Sequence, residues 1–295
     1  MELWLSITLA AAFLQNVRSL LQKRLTGALS VNGATYVRFC YALPFAWVYA
    51  SLLWWGDLER VEHVLNTSFW MYVCMGALAQ ILATACLLQA FTVGNFAVGT
   101  AYSKTEAAQA AVFGLLILGD GLTTWALAGI GVSLVGVVLL SGNVSFAQLF
   151  KPNRAMALGL AAAAGFAISA VGFRGASLAL GDGTFLQRAG LTVAMAVTVQ
   201  TLLMSGYLWW REPGELSRTL AQYRTAVWVG LIGMIASVGW FTAMTLQSAA
   251  IVRAVGQVEL LFTVATSVWL LNEQVTRREV LGMLAVVLGI VLLIQ

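Results

Sequence analysis

The sequence predicts an all-α, polytopic membrane protein whose ten transmembrane helices form two inverted five-helix repeats. Composition is the first observation. Sixty per cent of the residues are hydrophobic and 9% charged, with a mean hydropathy of +0.87. A soluble domain carries roughly 25% charged residues to hydrate its surface, so this chain belongs in a bilayer. Second, continuously apolar runs of about 20 residues, enough for a spanning helix, recur along the whole length. Third, one segment is written twice. Tyr102-Ser103-Lys104-Thr105-Glu106 leads into an apolar run ending Leu118-Gly119-Asp120, and Val255-Gly256-Gln257-Val258-Glu259 leads into one ending Leu271-Asn272-Glu273.

The first span lies near 3–22. No basic region precedes it and no small-residue cleavage site follows, so it reads as a span and not as a removed signal. The second, near 33–55, contains Pro44, which lacks an amide donor and clashes with the preceding turn, so a kink is expected. It ends in Trp54-Trp55, and tryptophan prefers the headgroup level. Spans near 68–90, 95–118 and 121–141 follow closely, the last carrying Gly129 and Gly136. The polar stretch from Ser141 to Arg154 divides the chain into repeats at 1–143 and 154–295. The second repeat runs in the same order: spans near 155–178, 184–210 (ending in Trp209-Trp210), 225–247, 250–271 and 277–295. Gly282 and Gly289 match Gly129 and Gly136, and a seven-residue spacing keeps each pair on nearly one helix face for close packing. An odd number of spans per repeat makes consecutive repeats insert in opposite senses. The runs do not alternate, which argues against a β-barrel.

Several function classes are excluded by what the chain lacks. Cys40, Cys74 and Cys86 lie inside spans without CxxC spacing, and the single histidine, His63, sits in the polar loop 56–66, so no metal cluster or disulfide framework is expected. No phosphate-binding loop, Walker lysine or nucleophile elbow occurs, and an ATP-driven pump would need a domain not seen here. The net charge of +4 comes from loop lysines and arginines, and is no nucleic-acid surface.

Ten spans in a fivefold repeat, each copy ending in an apolar run, Gly/Asn-Asp/Glu, a short polar turn and a Gly-x6-Gly helix, resemble the drug/metabolite transporter superfamily, EamA type. The residues are Leu118-Gly119-Asp120 with Gly129 and Gly136, and Leu271-Asn272-Glu273 with Gly282 and Gly289; an arginine early in the second helix has its counterpart in Tyr36-Val37-Arg38-Phe39. The resemblance covers essentially the whole chain. It implies a multi-pass protein of the bacterial inner membrane, a monomer or homodimer, moving a small-molecule substrate without a cofactor through a cavity alternately open to each side. Small multidrug resistance proteins carry a first-helix glutamate for a proton or cationic drug; here that helix offers Gln15, Asn16 and Arg18, which lowers the odds of a cationic drug.

Charge at membrane depth is costly and usually faces a cavity or a partner. Glu106 and Glu259 are the leading candidates because they hold matched positions in the repeat. A carboxylate there can bind a substrate amine or take up a proton; the alternative is that a neighbour holds each, such as Lys104 or an arginine of another helix. Arg38 suits an anionic group, or sits near the mouth of its helix, and Arg188 shares that ambiguity. Arg253 reads as interfacial, and Arg18 as snorkelling toward Lys23 and Arg24. Gln15, Asn16, Tyr102, Trp240, Gln89, Gln247 and Gln257 complete the expected substrate-binding set, Gln89 and Gln247 as a matched amide pair. Lys104 stands where the second copy has Gln257, so the site is electrically lopsided and fits an amphoteric, amino-acid-like solute better than a simple cation. The alternative substrate is a phosphorylated, nucleotide-linked or lipid-linked metabolite, for which Arg38 and Arg188 matter more. Two expectations about orientation conflict. The resemblance implies both ends in the cytoplasm, whereas Lys23, Arg24, Lys151, Arg154, Arg211, Arg218, Arg224, Arg277 and Arg278 outweigh Arg60, Arg174 and Arg253 in the sense that puts both ends outside.

Overall fold

The computed structural model describes residues 2–25, 27–57, 65–93, 102–140, 153–262, 264–265 and 276–294. The described residues form helices and turns, without strands. In order, the α-helices are α1 (Leu3–Lys23), α2 (Val31–Cys40), α3 (Leu43–Leu53), α4 (Thr67–Val93), α5 (Glu106–Leu118), α6 (Thr124–Leu140), α7 (Arg154–Ala179), α8 (Phe185–Arg211), α9 (Glu215–Ala221), α10 (Tyr223–Leu246), α11 (Ala249–Val255) and α12 (Arg277–Leu293). Each of the ten predicted spans contains helix. Among the described residues, five helical segments are long and apolar enough to cross a bilayer, namely Val31–Leu53, Thr67–Ala90, Arg154–Ala179, Phe185–Arg211 and Tyr223–Leu246, with α5 and α6 shorter but apolar. Leu271-Asn272-Glu273, His63 and Lys151 lie outside the described residues.

The chain divides into two compact units, Met1–Ala77 with Gly172–Leu246, and Leu78–Val171 with Gln247–Gln295. Each unit therefore draws on both halves of the sequence, and the division passes through α4 and α7 rather than through the central polar stretch.

In the first unit, α1 runs antiparallel to α10, and glycines on α10 let neighbours approach. A Cβ at Gly239 would meet Ala11, and one at Gly233 would lie 3.1 Å from Arg18 Cδ. Gly230 takes the backbone of Tyr41 in the same way. The expected kink is a break: α2 ends at Cys40, Tyr41-Ala42 form a turn, and α3 starts with Pro44 in its first turn. Pro44 offers no N–H to the Cys40 carbonyl, so the helix must restart. The α2–α3 pair runs antiparallel to α8. Ser205 Oγ donates to Tyr36 Oη (2.8 Å) and Gln187 Nε2 to the Leu53 carbonyl (3.0 Å). Ser205 and Gln187 are 18 residues apart, about 27 Å of helix, against a hydrocarbon core of roughly 30 Å. The tryptophan pairs therefore mark opposite ends of this helix pair. Trp55, Trp209 and Trp210 are exposed. Trp54, unlike its exposed neighbour, lies in a core with Phe69, Val73 and Leu191 and donates from Nε1 to the Gln187 carbonyl.

In the second unit, α6 and α12 form an antiparallel pair held by the repeat-matched glycines. A Cβ at Gly129 would come 2.7 Å from the Gly289 carbonyl oxygen, and one at Gly136 2.7 Å from that of Gly282. The first glycine of one copy meets the second of the other. Exchanging the copies reproduces both contacts, which is how an inverted repeat packs on itself. The same unit brings α11 against α5, and Gly165 of α7 against Ala79 and Ala83 of α4.

Candidate functional site

The repeated segments both interrupt a helix in the second unit. In the first copy a turn at Lys104-Thr105 separates Tyr102-Ser103 from α5, which starts at Glu106. Thr105 turns its hydroxyl back to the Tyr102 carbonyl (2.7 Å). In the second copy α11 tightens into a 3₁₀ turn, Gly256–Val258, before Glu259. Such tightening inside a helix leaves backbone groups and side chains free to serve a site. Ser248 caps the start of α11, and Gln247 Oε1 accepts from the Ser248 amide (2.8 Å).

Four charges meet across these breaks. Lys104 Nζ pairs with Glu259, and the Arg253 guanidinium grips Glu106 with both arms, the Nη2–Oε2 bond being 2.9 Å. Each carboxylate is thus neutralised by a cation of the other repeat. The Glu106 and Arg253 side chains are 10% and 22% exposed, those of Lys104 and Glu259 19% each. At that depth the quartet persists because opposite charges and forked hydrogen bonds offset the cost of leaving water. It sums to zero. Exchange of the copies would turn Lys104–Glu259 into Gln257–Glu106. An amide cannot neutralise that carboxylate, and Arg253 takes its place.

Gln257 sits inside this cluster, 3% exposed. Its Nε2 donates to the Lys104 carbonyl (3.2 Å), while its Oε1 is buried without a hydrogen-bond partner among the described residues. An orphaned buried acceptor is rare in folded proteins and marks a place where a donor belongs. Tyr102, also buried, stands one turn before Glu106.

The remaining predicted residues lie on other elements. Gln89 is exposed on α4, and Gln247 Oε1 accepts from the Ser248 amide at the start of α11. Trp240, Gln15, Asn16 and Arg38 belong to the first unit. Trp240 Nε1 donates to Gln15 Oε1 (3.0 Å), joining α10 to α1. Asn16, half-buried, follows Gln15. Arg18 does not snorkel: it is 9% exposed, its methylenes lying on Gly233 where a side chain is missing. Arg188 follows Gln187 at the level where α3 ends. That is about 27 Å along the helix pair from the Tyr36 level near Arg38, so the two arginines do not share a depth. Arg253, expected at the interface, is the residue that sequence reasoning underrated. The signal available was charge balance, since two matched carboxylates require two cations and Lys104 supplies one.

No curated protein matches the chain. A solved crystal structure of another protein superposes with a TM-score of 0.71 at 15% identity, covering 98% of this chain and 95% of that one, a likeness of fold. The model of the EamA-like transporter family matches residues 2–142 and 153–295, one match to each half. Together these span almost the whole sequence, and the chain, an integral multi-pass membrane protein, belongs to the EamA-like transporter family of the drug/metabolite transporter superfamily.

Proposed function

We propose that the protein is a secondary transporter and not an enzyme, moving a small polar amphoteric metabolite of amino-acid type across the bacterial inner membrane by alternating access. The quartet of Lys104, Glu106, Arg253 and Glu259, with the orphaned Gln257 acceptor beside it, is the observation that supports this reading. A solute with both an ammonium and a carboxylate can open both ion pairs and leave every charge compensated. Its ammonium meets Glu106 or Glu259 and the Gln257 Oε1; its carboxylate meets Arg253 or Lys104. A simple cation would strand Lys104 or Arg253, and a simple anion would strand a glutamate. Buried charges without partners cost several kcal/mol, roughly 3–5 when one member of a pair is lost. Transient protonation of the carboxylate left behind by a departing solute would couple transport to protons.

Thermal-shift titration of the purified protein with amino acids, simple amines and simple carboxylates tests the substrate class. Zwitterions are expected to raise the unfolding temperature saturably, and Gln257→Leu to weaken their binding about tenfold, the equivalent of one lost hydrogen bond of about 1.4 kcal/mol. If simple amines bind as well as zwitterions, or Gln257→Leu binds as the parent does, the assignment is wrong.

A further inference from the structure

One end of the first unit sorts its charges by sign. There α1 finishes, α2 starts, and the chain passes from α8 through α9 into α10. A buried core of Leu25, Leu29, Ala34, Val37, Ala226 and Val229 holds the start of α10 against the α1–α2 turn. The segment from Arg211 to Arg224 carries three arginines and two glutamates, and by sequence it is an ordinary mixed-charge loop. Folding turns both carboxylates inward. Glu215, 3% exposed, accepts from the Ser30 amide (2.6 Å) and from Arg218 Nη1 (3.3 Å). Glu212 accepts from Asn32 Nδ2 (2.6 Å) and from the Ser30 hydroxyl. Gly33 makes room for this, since a Cβ there would overlap the Glu215 side chain.

The arginines go the other way. Arg211, Arg218 and Arg224 are exposed, as is Arg24 where α1 ends. Among the described residues, Arg24, Arg211 and Arg224 make no ion pair, and Arg218, although it reaches Glu215, keeps 70% of its side chain exposed. Two of these cations rest on aromatic rings. The Arg211 guanidinium lies 4.1 Å from the centroid of Trp210, and Arg224 donates from Nε to Tyr223 Oη (3.3 Å). Trp209, Trp210, Leu220 and Tyr223 are exposed beside them. Water suits the guanidiniums and not these apolar groups; hydrocarbon suits the apolar groups and not the guanidiniums. The headgroup level suits both, with rings against the upper acyl chains and arginines among the phosphates. Phosphate oxygens match the guanidinium fork. A zwitterionic headgroup brings a cation for its own phosphate, whereas an anionic headgroup leaves its charge for the protein to meet.

We propose that this end of the first unit, with Arg24, Arg211, Arg218 and Arg224 turned outward, is a docking surface for anionic phospholipid. The surface exists because the fold withdraws Glu212 and Glu215 from it, and it does not depend on what the quartet carries.

The test is a thermal-shift titration of the purified protein in non-ionic detergent with three probes: phosphatidylglycerol, phosphatidylcholine with the same acyl chains, and soluble glycerol 3-phosphate. Phosphatidylglycerol is expected to raise the unfolding temperature saturably and at lower concentration than phosphatidylcholine, and glycerol 3-phosphate to have no such effect. Salt at about 1 M should erase most of the difference between the lipids, because charges then act over only about 3 Å. Arg211→Gln with Arg224→Gln removes two charges that hold no ion pair in the fold, and should weaken phosphatidylglycerol binding about 20-fold, roughly fivefold for each arginine. Arg154→Gln with Arg277→Gln removes two exposed charges from the second unit and should leave that binding near the parent value. Equal response of the parent protein to the two lipids overturns the proposal, and this outcome needs no variant to fold. Stabilisation by glycerol 3-phosphate equal to that by the lipid overturns it in favour of a free anion, and equal losses in the two double variants overturn it by showing no localised surface. No readout involves transport, so failure here leaves the quartet reading standing, and failure of that reading leaves this one.

Discussion

Arg253 and Glu106 show what pairing does at the scale of a residue. Because the Glu106 side chain is 10% exposed, removing its partner leaves a charge with neither water nor cation. Arg253→Gln should cost about 3–5 kcal/mol of stability, read as a lowered thermal unfolding midpoint in detergent. Adding Glu106→Gln should recover most of that loss, because two amides can hydrogen-bond without stranded charge. A double variant as unstable as the single one would mean that the pair does not hold the helix breaks together. Glu106, Glu259 and Lys104 were legible in the sequence because repetition aligned them. Arg253 was not. It lies six residues before Glu259, and the position six before Glu106 is Thr100, so the repeat gave no matching charge to notice. Gln257 was visible as the odd member of its position; that its oxygen is orphaned required packing to reveal.

At the scale of elements, the α6–α12 pair rests on backbone approaching backbone. A side chain at Gly136 would meet the Gly282 carbonyl and the Val286 amide at 2.7 Å, neither of which can rotate away. Gly136→Ile should therefore destabilise by about 1–3 kcal/mol or more through overpacking. Gly131, one turn away on the same helix, has nothing within 4 Å of its missing Cβ. Gly131→Ala should be neutral or stabilise by up to about 1 kcal/mol, from helix propensity alone. Thermal unfolding of the two variants checks the contrast, and equal effects would remove the glycine seam from the account. The seven-residue glycine spacing announced this seam, because it reports a helix face directly. The α2–α3 break was announced too, by Pro44. The burial of Trp54 was not, since an interfacial and a core tryptophan look alike until Gln187 and Leu191 are placed beside them.

At the scale of the whole molecule, sequence repeats and compact units differ. The repeats are contiguous, but each unit takes helices from both of them. The order of spans was legible because bilayer thickness fixes helix length. The exchange of helices between repeats was not, because apolar faces do not declare which apolar face they meet. Chains divided between residues 143 and 154 should give folded protein when both halves are co-expressed, and neither half alone should yield a monodisperse, cooperatively unfolding species. Size-exclusion profiles and thermal melts of the three preparations check this. The central claim is that the charge quartet handles the solute, and uptake by proteoliposomes under an imposed pH gradient tests it most directly. Glu106→Gln, with its melting profile showing an intact fold, should abolish uptake or free it from the gradient. Uptake and pH dependence equal to those of the parent protein would contradict the account.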